Sequence, residues 1–240
     1  MAGTYANADD YAPGSTAISN GLNSFASDPG VTFFSWNNNV QRNGALYRIN
    51  PQAFYYYGPW GIQAEYIVQS QGLTFNSGNA TQQREIRDTS WAWQATLSYN
   101  ITGEDNSFDS LVPKNNFDFF QTDDPDAVGL WQVAFRADQL QLDSDLFNSP
   151  TPGGSNTFVN SGNASTNARG YSSYGLALNW YLNPNIRAYF NVIYTPWYYS
   201  SNFNSSAGGS TGGSGNNSPG QGNSISNDEI AFTARLQLFF

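Results

Sequence analysis

Charged side chains recur at every second position of several strand-like segments of this 240-residue sequence. Arginine keeps a delocalised charge at all physiological pH values and is the usual lining for passage of anions, while carboxylates opposite it create a transverse field and a size limit. Side chains of this kind could line a water-filled pore. The candidate lining residues share one register: Arg48, Glu65, Gln94, Arg136, Asp138, Arg187 and Arg235. Glu65 and Asp138 partly offset the positive charge of the arginines. This set of residues therefore predicts at most a weak preference for anions. The alternative interpretation is that these charges pair across neighbouring strands and only stabilise the sheet.

Two short acidic clusters could bind a hard cation. One consists of Asp123, Asp124 and Asp126, and the other of Asp143 and Asp145. Calcium takes several oxygen ligands from one loop, but neither cluster has the spacing of an EF-hand. A solvated acidic turn is the simpler explanation of both clusters, so we predict no resident metal or cofactor, with the first cluster as the calcium candidate to test.

The composition excludes several kinds of chemistry. The sequence contains no cysteine and no histidine, which removes disulfides, thiol nucleophiles, zinc sites and the usual acid/base triads. It also lacks a glycine-rich phosphate cradle and a nucleophile elbow. We therefore predict that the protein is not an enzyme. A net charge of −9 makes nucleic acid an unfavourable partner.

Aromatic residues make up 16% of the sequence, which favours a sheet or barrel over a helical bundle. Tryptophan and tyrosine near strand ends form the girdles at both interfaces of membrane barrels. The candidates for this role are Trp60, Trp91, Trp131, Tyr99 and Phe240. The competing interpretation is the packed inner face of a soluble β-sandwich.

The elements that must position these side chains are strands, because apolar and polar residues alternate with a period of two over about ten residues at a time. The clearest segment is 90–101, where Trp91, Trp93, Leu97 and Tyr99 fall on one face and polar or small residues on the other. Proline at position 51 interrupts the segment 45–57, which argues against a regular strand there. The segments with this pattern are 31–36, 45–57, 60–71, 90–101, 130–140, 173–182, 186–195 and 229–240.

Eight such segments joined by alternating short turns and long loops predict an all-β fold, an antiparallel transmembrane β-barrel. Residues 1–30 are predicted to be an irregular polar loop segment, and residues 31–240 to hold the barrel strands. The long extracellular loops are expected at 72–89, 141–171 and 197–228. The connection 102–129 is an exception, because strand parity places this long segment on the side of the short turns.

No apolar run approaches the roughly 20 residues that a membrane-spanning helix requires. The first residues, MAGTYANADD, contain no basic region followed by an apolar stretch, so the pattern of a secretory signal is not recognised there. Since a protein of the outer membrane must be exported, we expect the numbering to begin after processing or inside a longer precursor, or the chain to be shortened.

The order of the segments resembles the phosphate-selective porin O and P family. The similar stretches are TFFSW, YRINPQAFYYYGPWGIQAEYIVQSQ, SWAWQATLSYNITGE, GLWQVAFRADQLQL, YGLALNWYLNPNIRAYFNVIY and the terminal ARLQLFF. The resemblance implies a trimeric, sixteen-stranded porin in the outer membrane of a Gram-negative bacterium, of which this chain would supply about half. Phosphate selectivity in that family depends on dense lysine and arginine clusters, whereas Lys114 is the only lysine here.

Three functional classes remain open at this stage. The first is a porin for passive diffusion of small hydrophilic solutes or ions, completed by further strands of a longer precursor or by a second chain, since unpaired edges in lipid are prohibitive. The second is a small closed barrel in the outer membrane that acts as an anchor or adhesin, or as a subunit of a larger membrane assembly. The third is a soluble carbohydrate-binding sandwich. Outer-membrane lipid is the expected environment in the first two.

Overall fold

The computed structural model describes residues 2–7, 22, 24–75, 84–120, 127–147, 168–199 and 228–239. They form an antiparallel all-β architecture, which confirms the predicted fold class. In the described part of the chain, no helix has the length and apolar character needed to cross a membrane.

The strands follow the alternating segments, where Val, Ile, Tyr, Phe, Trp and Thr are frequent and favour pleated, half-buried surfaces. A short 3-10 turn, Ser144–Leu146, follows the eighth strand. The strands are β1 Ala2–Asn7, β2 Phe25–Ala26, β3 Thr32–Phe34, β4 Val40–Asn50, β5 Gln52–Tyr57, β6 Trp60–Phe75, β7 Arg84–Asn100, β8 Leu130–Gln141, β9 Ala168–Asn183, β10 Ile186–Tyr199 and β11 Asp228–Leu238.

The main sheet has the order β1-β4-β6-β7-β8-β9-β10-β11, with β5 also paired to β6, and the neighbouring strands are antiparallel. Pro51 separates β4 from β5 without changing the register, since Ile49 pairs with Val68 and Gln52 pairs with Glu65. The Tyr66 N–H donates to the Pro51 carbonyl oxygen at 3.0 Å. β4 and β5 therefore act as one long strand, and the expected disruption by Pro51 amounts to a single missing N–H donor.

The structure differs from the sequence predictions at two places in the first 36 residues. Ala2–Asn7 is a strand that pairs with β4 from Ala2↔Asn50 to Asn7↔Ala45, although this stretch was expected to be irregular. The segment 31–36 contributes β3, but this strand pairs only with β2 in a separate two-stranded sheet. Such short strands carry little alternation of their own, so their pairing depends on the partner strand.

The register produces two chemically different faces. One row of partners crosses six strands and consists only of large apolar side chains: Ile62, Leu97, Phe135, Leu176, Val192 and Phe232. Each of them is at least 41% exposed. The neighbouring row carries Gln63, Thr96 and Arg136. We call these the apolar face and the polar face.

The two ends of the sheet also differ. One end, the short-turn end, carries the turns at 58–59 and 184–185 and the connection 101–129; the other, the long-loop end, carries the remaining connections. The strands extend further toward the long-loop end than the alternation indicates, because β6 continues to Phe75 and β7 already begins at Arg84. The predicted loop 72–89 is therefore mostly strand. β8 reaches Gln141, β9 begins at Ala168 and β10 reaches Tyr199, so the other two loops also start or end with strand residues.

Candidate functional site

Residues 25–36, which we call the long-loop insert, cover the polar face at the long-loop end. Their aromatic side chains join a buried apolar cluster with the ends of β6, β8 and β9. Phe33 packs edge-on against Tyr171 with ring centroids 5.2 Å apart, and Phe34 packs against Trp36 at 4.9 Å. The long-loop insert contains little regular secondary structure. The burial of several large aromatic rings is the main force that holds it against the sheet.

Polar contacts extend from this insert over the polar face toward two distant strands. Asp28 forms an ion pair with Arg136 of β8, and the Ser27 hydroxyl donates to Glu229 Oε2 of β11 at 2.9 Å. Arg136 Nε also donates to Asp138 Oδ2 at 3.0 Å. One guanidinium thus lies between two carboxylates, and the local charge is negative.

Glu65 lies in a shell of amides with no cation among its hydrogen-bond partners. Its Oε1 accepts from Asn50 Nδ2 at 2.5 Å and from Gln52 Nε2 at 3.3 Å. Its Oε2 accepts from Gln94 Nε2 at 2.7 Å. Three neutral donors therefore satisfy this carboxylate and fix its orientation on the polar face.

The other predicted arginines contact amides, hydroxyls and rings. Arg48 Nε donates to Gln69 Oε1 at 2.6 Å. Arg187 lies over the Tyr181 ring at 5.1 Å and bonds to Ser110, and Arg235 lies over the Tyr189 ring at 4.9 Å. All seven residues proposed from the sequence as a polar lining lie on the polar face, and their role as a pore wall stays a prediction. The alternative of contacts across neighbouring strands also stays open, since Arg48, Glu65, Gln94, Arg187 and Arg235 all contact a neighbouring strand. Arg136 differs, because it pairs with Asp138 on its own strand and with Asp28 on the insert.

Residues 104–117, which we call the short-turn insert, cover the polar face from the opposite end. Asn106 Nδ2 donates to Ser98 Oγ at 2.8 Å, and the Asn106 N–H donates to the Gly58 carbonyl oxygen at 2.6 Å. A Cβ atom at Gly61 would lie 2.7 Å from Asn106 Nδ2, so glycine is the residue that leaves room for this approach. Further along, Leu111 joins Leu130 and Tyr181 in a second small buried cluster. The described residues of this long connection cross the polar face from β5, where Phe108 packs on Phe54, to β10, where Ser110 bonds to Arg187.

The predicted interface aromatics lie in two groups on the apolar face. At the short-turn end, the rings of Trp60 and Tyr99 lie 4.5 Å apart, and Trp131 stacks on Trp180 at 4.9 Å. Toward the long-loop end, Trp91 stacks on Tyr66 at 6.4 Å. Phe240, the fifth candidate, lies outside the described residues. So do Asp123, Asp124 and Asp126, and the calcium hypothesis therefore stays a prediction.

Sequence patterns missed the residues that the two inserts bring to the polar face, above all Asp28, Asn106 and Phe108. The order Ser27-Asp28-Pro29-Gly30 has the composition of a turn, and the turn is present, with the Gly30 N–H bonded to the Ser27 carbonyl oxygen at 2.8 Å. Composition could predict that turn. It could not predict where the turn docks.

The family described as phosphate-selective porin O and P matches residues 27–214 of the chain. This range includes the short-turn insert, all but the first two residues of the long-loop insert, and strands β3 to β10. No curated protein matches the chain.

Proposed function

The chain belongs to the phosphate-selective porin O and P family, and from this premise we propose that it forms a water-filled channel for passive diffusion of small hydrophilic solutes. The family is one of outer-membrane porins, so the protein is an outer-membrane β-barrel protein whose surroundings are lipid. The finer features of the channel are argued below from the contacts of the polar face.

The observation that carries the proposal is the apolar face. Contiguous exposed apolar surface of this extent is unfavourable in water, and it suits the hydrocarbon region of a bilayer. Between Trp91 and Tyr99 the strand advances roughly 26 Å at about 3.3 Å per residue, and a tilt of about 40° reduces this to about 20 Å. This height is near the roughly 25 Å of the apolar band of membrane barrels. The aromatic groups at its two ends support their proposed role as interface girdles.

The polar face then lines the lumen, where the two inserts narrow the passage from opposite ends. The predicted lining residues keep this role in the proposal. Arg136 is offset by Asp28 and Asp138, and Glu65 carries an uncompensated negative charge. We propose that ion preference is weak and that its sign depends on these carboxylates as much as on the arginines.

Phosphate selectivity is not part of this proposal. Selective binding of a multivalent anion requires several converging cations that are free to contact it. Lys114 is the only lysine of the sequence, and it lies within the short-turn insert, where its backbone N–H donates to Glu104 Oε1. The guanidinium of Arg136 already contacts two carboxylates.

Closure of the barrel requires partners for two edges. In the described main sheet, β11 forms one edge, and β1 together with β5 forms the other. An unpaired edge in lipid leaves backbone groups without hydrogen bonds. We propose that further strands, from a longer precursor or a second chain, complete a barrel of about sixteen strands, and that such barrels assemble as trimers.

Reconstitution into planar bilayers tests the channel. We expect stepwise, ohmic conductance that scales with salt concentration. Correct insertion without conductance would contradict the proposal and favour the alternative of an anchor or adhesin whose lumen is filled by the inserts.

A further inference from the structure

We propose that the channel contains a binding subsite for a neutral sugar on the polar face near the short-turn end, formed by Phe54, Phe108 and the amide shell of Glu65. This inference rests on the proposed channel function and adds a class of solute to it. The subsite lies between β5, β6, β7 and the short-turn insert.

The first observation is an aromatic platform on a face that is otherwise polar. Phe54 of β5 and Phe108 of the insert lie with ring centroids 5.1 Å apart and planes tilted by 31°. Tyr56 continues the platform, 6.2 Å from Phe54. Phe54 is 60% exposed and Phe108 70% exposed. Two phenylalanines that contact each other while remaining open to a water-filled lumen are costly without a ligand to cover them.

The second observation is the density of neutral hydrogen-bonding groups beside this platform. Gln52, Gln63, Gln94 and Thr96 line the same concave surface as the two phenylalanines. A glutamine side chain carries two N–H donors and one acceptor oxygen. Each of these three amides donates one N–H: Gln52 and Gln94 donate to Glu65, and Gln63 donates to the Tyr56 hydroxyl at 2.6 Å. The remaining groups can donate to and accept from hydroxyls.

The charge of the subsite argues against an anion. Glu65 is the only charged residue among those that line it, so phosphate would meet a carboxylate and no cation. A cationic ligand is also disfavoured, because Glu65 already accepts three hydrogen bonds from amides that would have to be displaced. A neutral ligand avoids both costs.

A sugar matches the two kinds of surface together. The face of a pyranose ring carries C–H groups that pack against the electron-rich face of an aromatic ring, while its hydroxyls both donate and accept hydrogen bonds as the amides require. The platform and the amides lie side by side on one concave surface. The geometry therefore suits stacking of a sugar ring as it slides along the channel wall.

The experiment measures ion current through the full-length chain in planar bilayers while maltotriose is added. Wild-type channels are expected to show a saturable reduction in current. Phe54→Ala and Phe108→Ala should each raise the half-saturating sugar concentration by roughly three- to tenfold, the factor that corresponds to loss of one aromatic contact. Phe108→Tyr keeps the aromatic ring and should retain binding, and Phe119→Ala, at an exposed phenylalanine that does not line the subsite, should leave it unchanged.

The outcomes separate the subsite from the channel. Conductance that maltotriose does not reduce would overturn the sugar subsite and leave the channel proposal intact. Calorimetric titration of the detergent-solubilised protein gives a second measurement that needs no conductance, and sugar binding that Phe54→Ala and Phe108→Ala leave unchanged would also overturn the subsite. Saturable block by L-arginine, without block by maltotriose, would replace the sugar with a cationic solute.

Discussion

Arg136 of β8 and Asp28 of the long-loop insert form an ion pair that joins the barrel wall to a segment preceding β3. The same guanidinium contacts Asp138, two positions further along its own strand. An arginine that the sequence places in an anion-tuned lining is therefore locally outnumbered by carboxylates.

Removing the charge of Arg136 and removing the charge of Asp28 should shift the ion preference of the channel in opposite directions. Arg136→Ser leaves two carboxylates without their cation and should favour cations, whereas Asp28→Asn should favour anions. A unit charge in water is worth about 1 kcal/mol at 4 Å and is screened over roughly 8 Å, so the permeability ratio should change by about a factor of two. Reversal potentials under a salt gradient measure this shift. Asn191→Ser, a neutral exchange on the polar face, is the control, and an unchanged potential in Arg136→Ser would remove this residue from the selectivity argument.

Spin labels at Ala95 and Thr96 should report opposite environments in bilayers. Ala95 pairs with Ala64 and Ala137 in the rows of the apolar face, and Thr96 pairs with Gln63 and Arg136 on the polar face. The label at Ala95 should be accessible to oxygen and the label at Thr96 to a polar relaxation agent. Equal accessibilities at the two positions would contradict the barrel orientation.

Asn106→Ala should widen the short-turn end of the channel. It removes the hydrogen bond to Ser98 Oγ that holds the short-turn insert against β7, although the backbone bond to Gly58 remains. We expect a higher or noisier single-channel conductance and little change in membrane level. Asn191→Ala, whose amide donates to Thr233 on the strand wall at 3.0 Å, is the matched control. If both variants conduct like the wild type, the insert does not limit the current.

Gly72→Ala should destabilise the sheet where β4 and β6 pair. A Cβ atom at Gly72 would overlap the backbone carbonyl of Asn43, at the register shift between Arg42 and Leu46. Overlap with backbone costs about 1–3 kcal/mol because the strand must move. Gly175→Ala is the control, since its Cβ would meet its nearest atoms at an ordinary 3.9 Å. Thermal unfolding of the two variants in detergent measures the difference, and equal stability would show that the irregular pairing at Gly72 adapts freely.

The sequence by itself determined where strands β4 to β11 form and which face their side chains take. Alternation is a local property with a period of two, so a single register places Trp91, Leu97 and Tyr99 on one side and Gln94 on the other. It also predicted the lining residues that the structure places together on the polar face, such as Glu65 and Arg136. The tight turn at 183–185 was predictable for the same reason, since its residues act on their own backbone.

Only the tertiary structure decided what covers the polar face. The two inserts show no periodic alternation of apolar and polar residues. Their positions depend on contacts with the strands of the sheet, such as Phe33 with Tyr171 and Asn106 with Ser98. β1 likewise becomes a strand because β4 offers it a partner. Such contacts form because burying aromatic surface and satisfying buried polar groups outweigh the entropy lost in ordering a loop, and this balance cannot be read from the loop's own sequence.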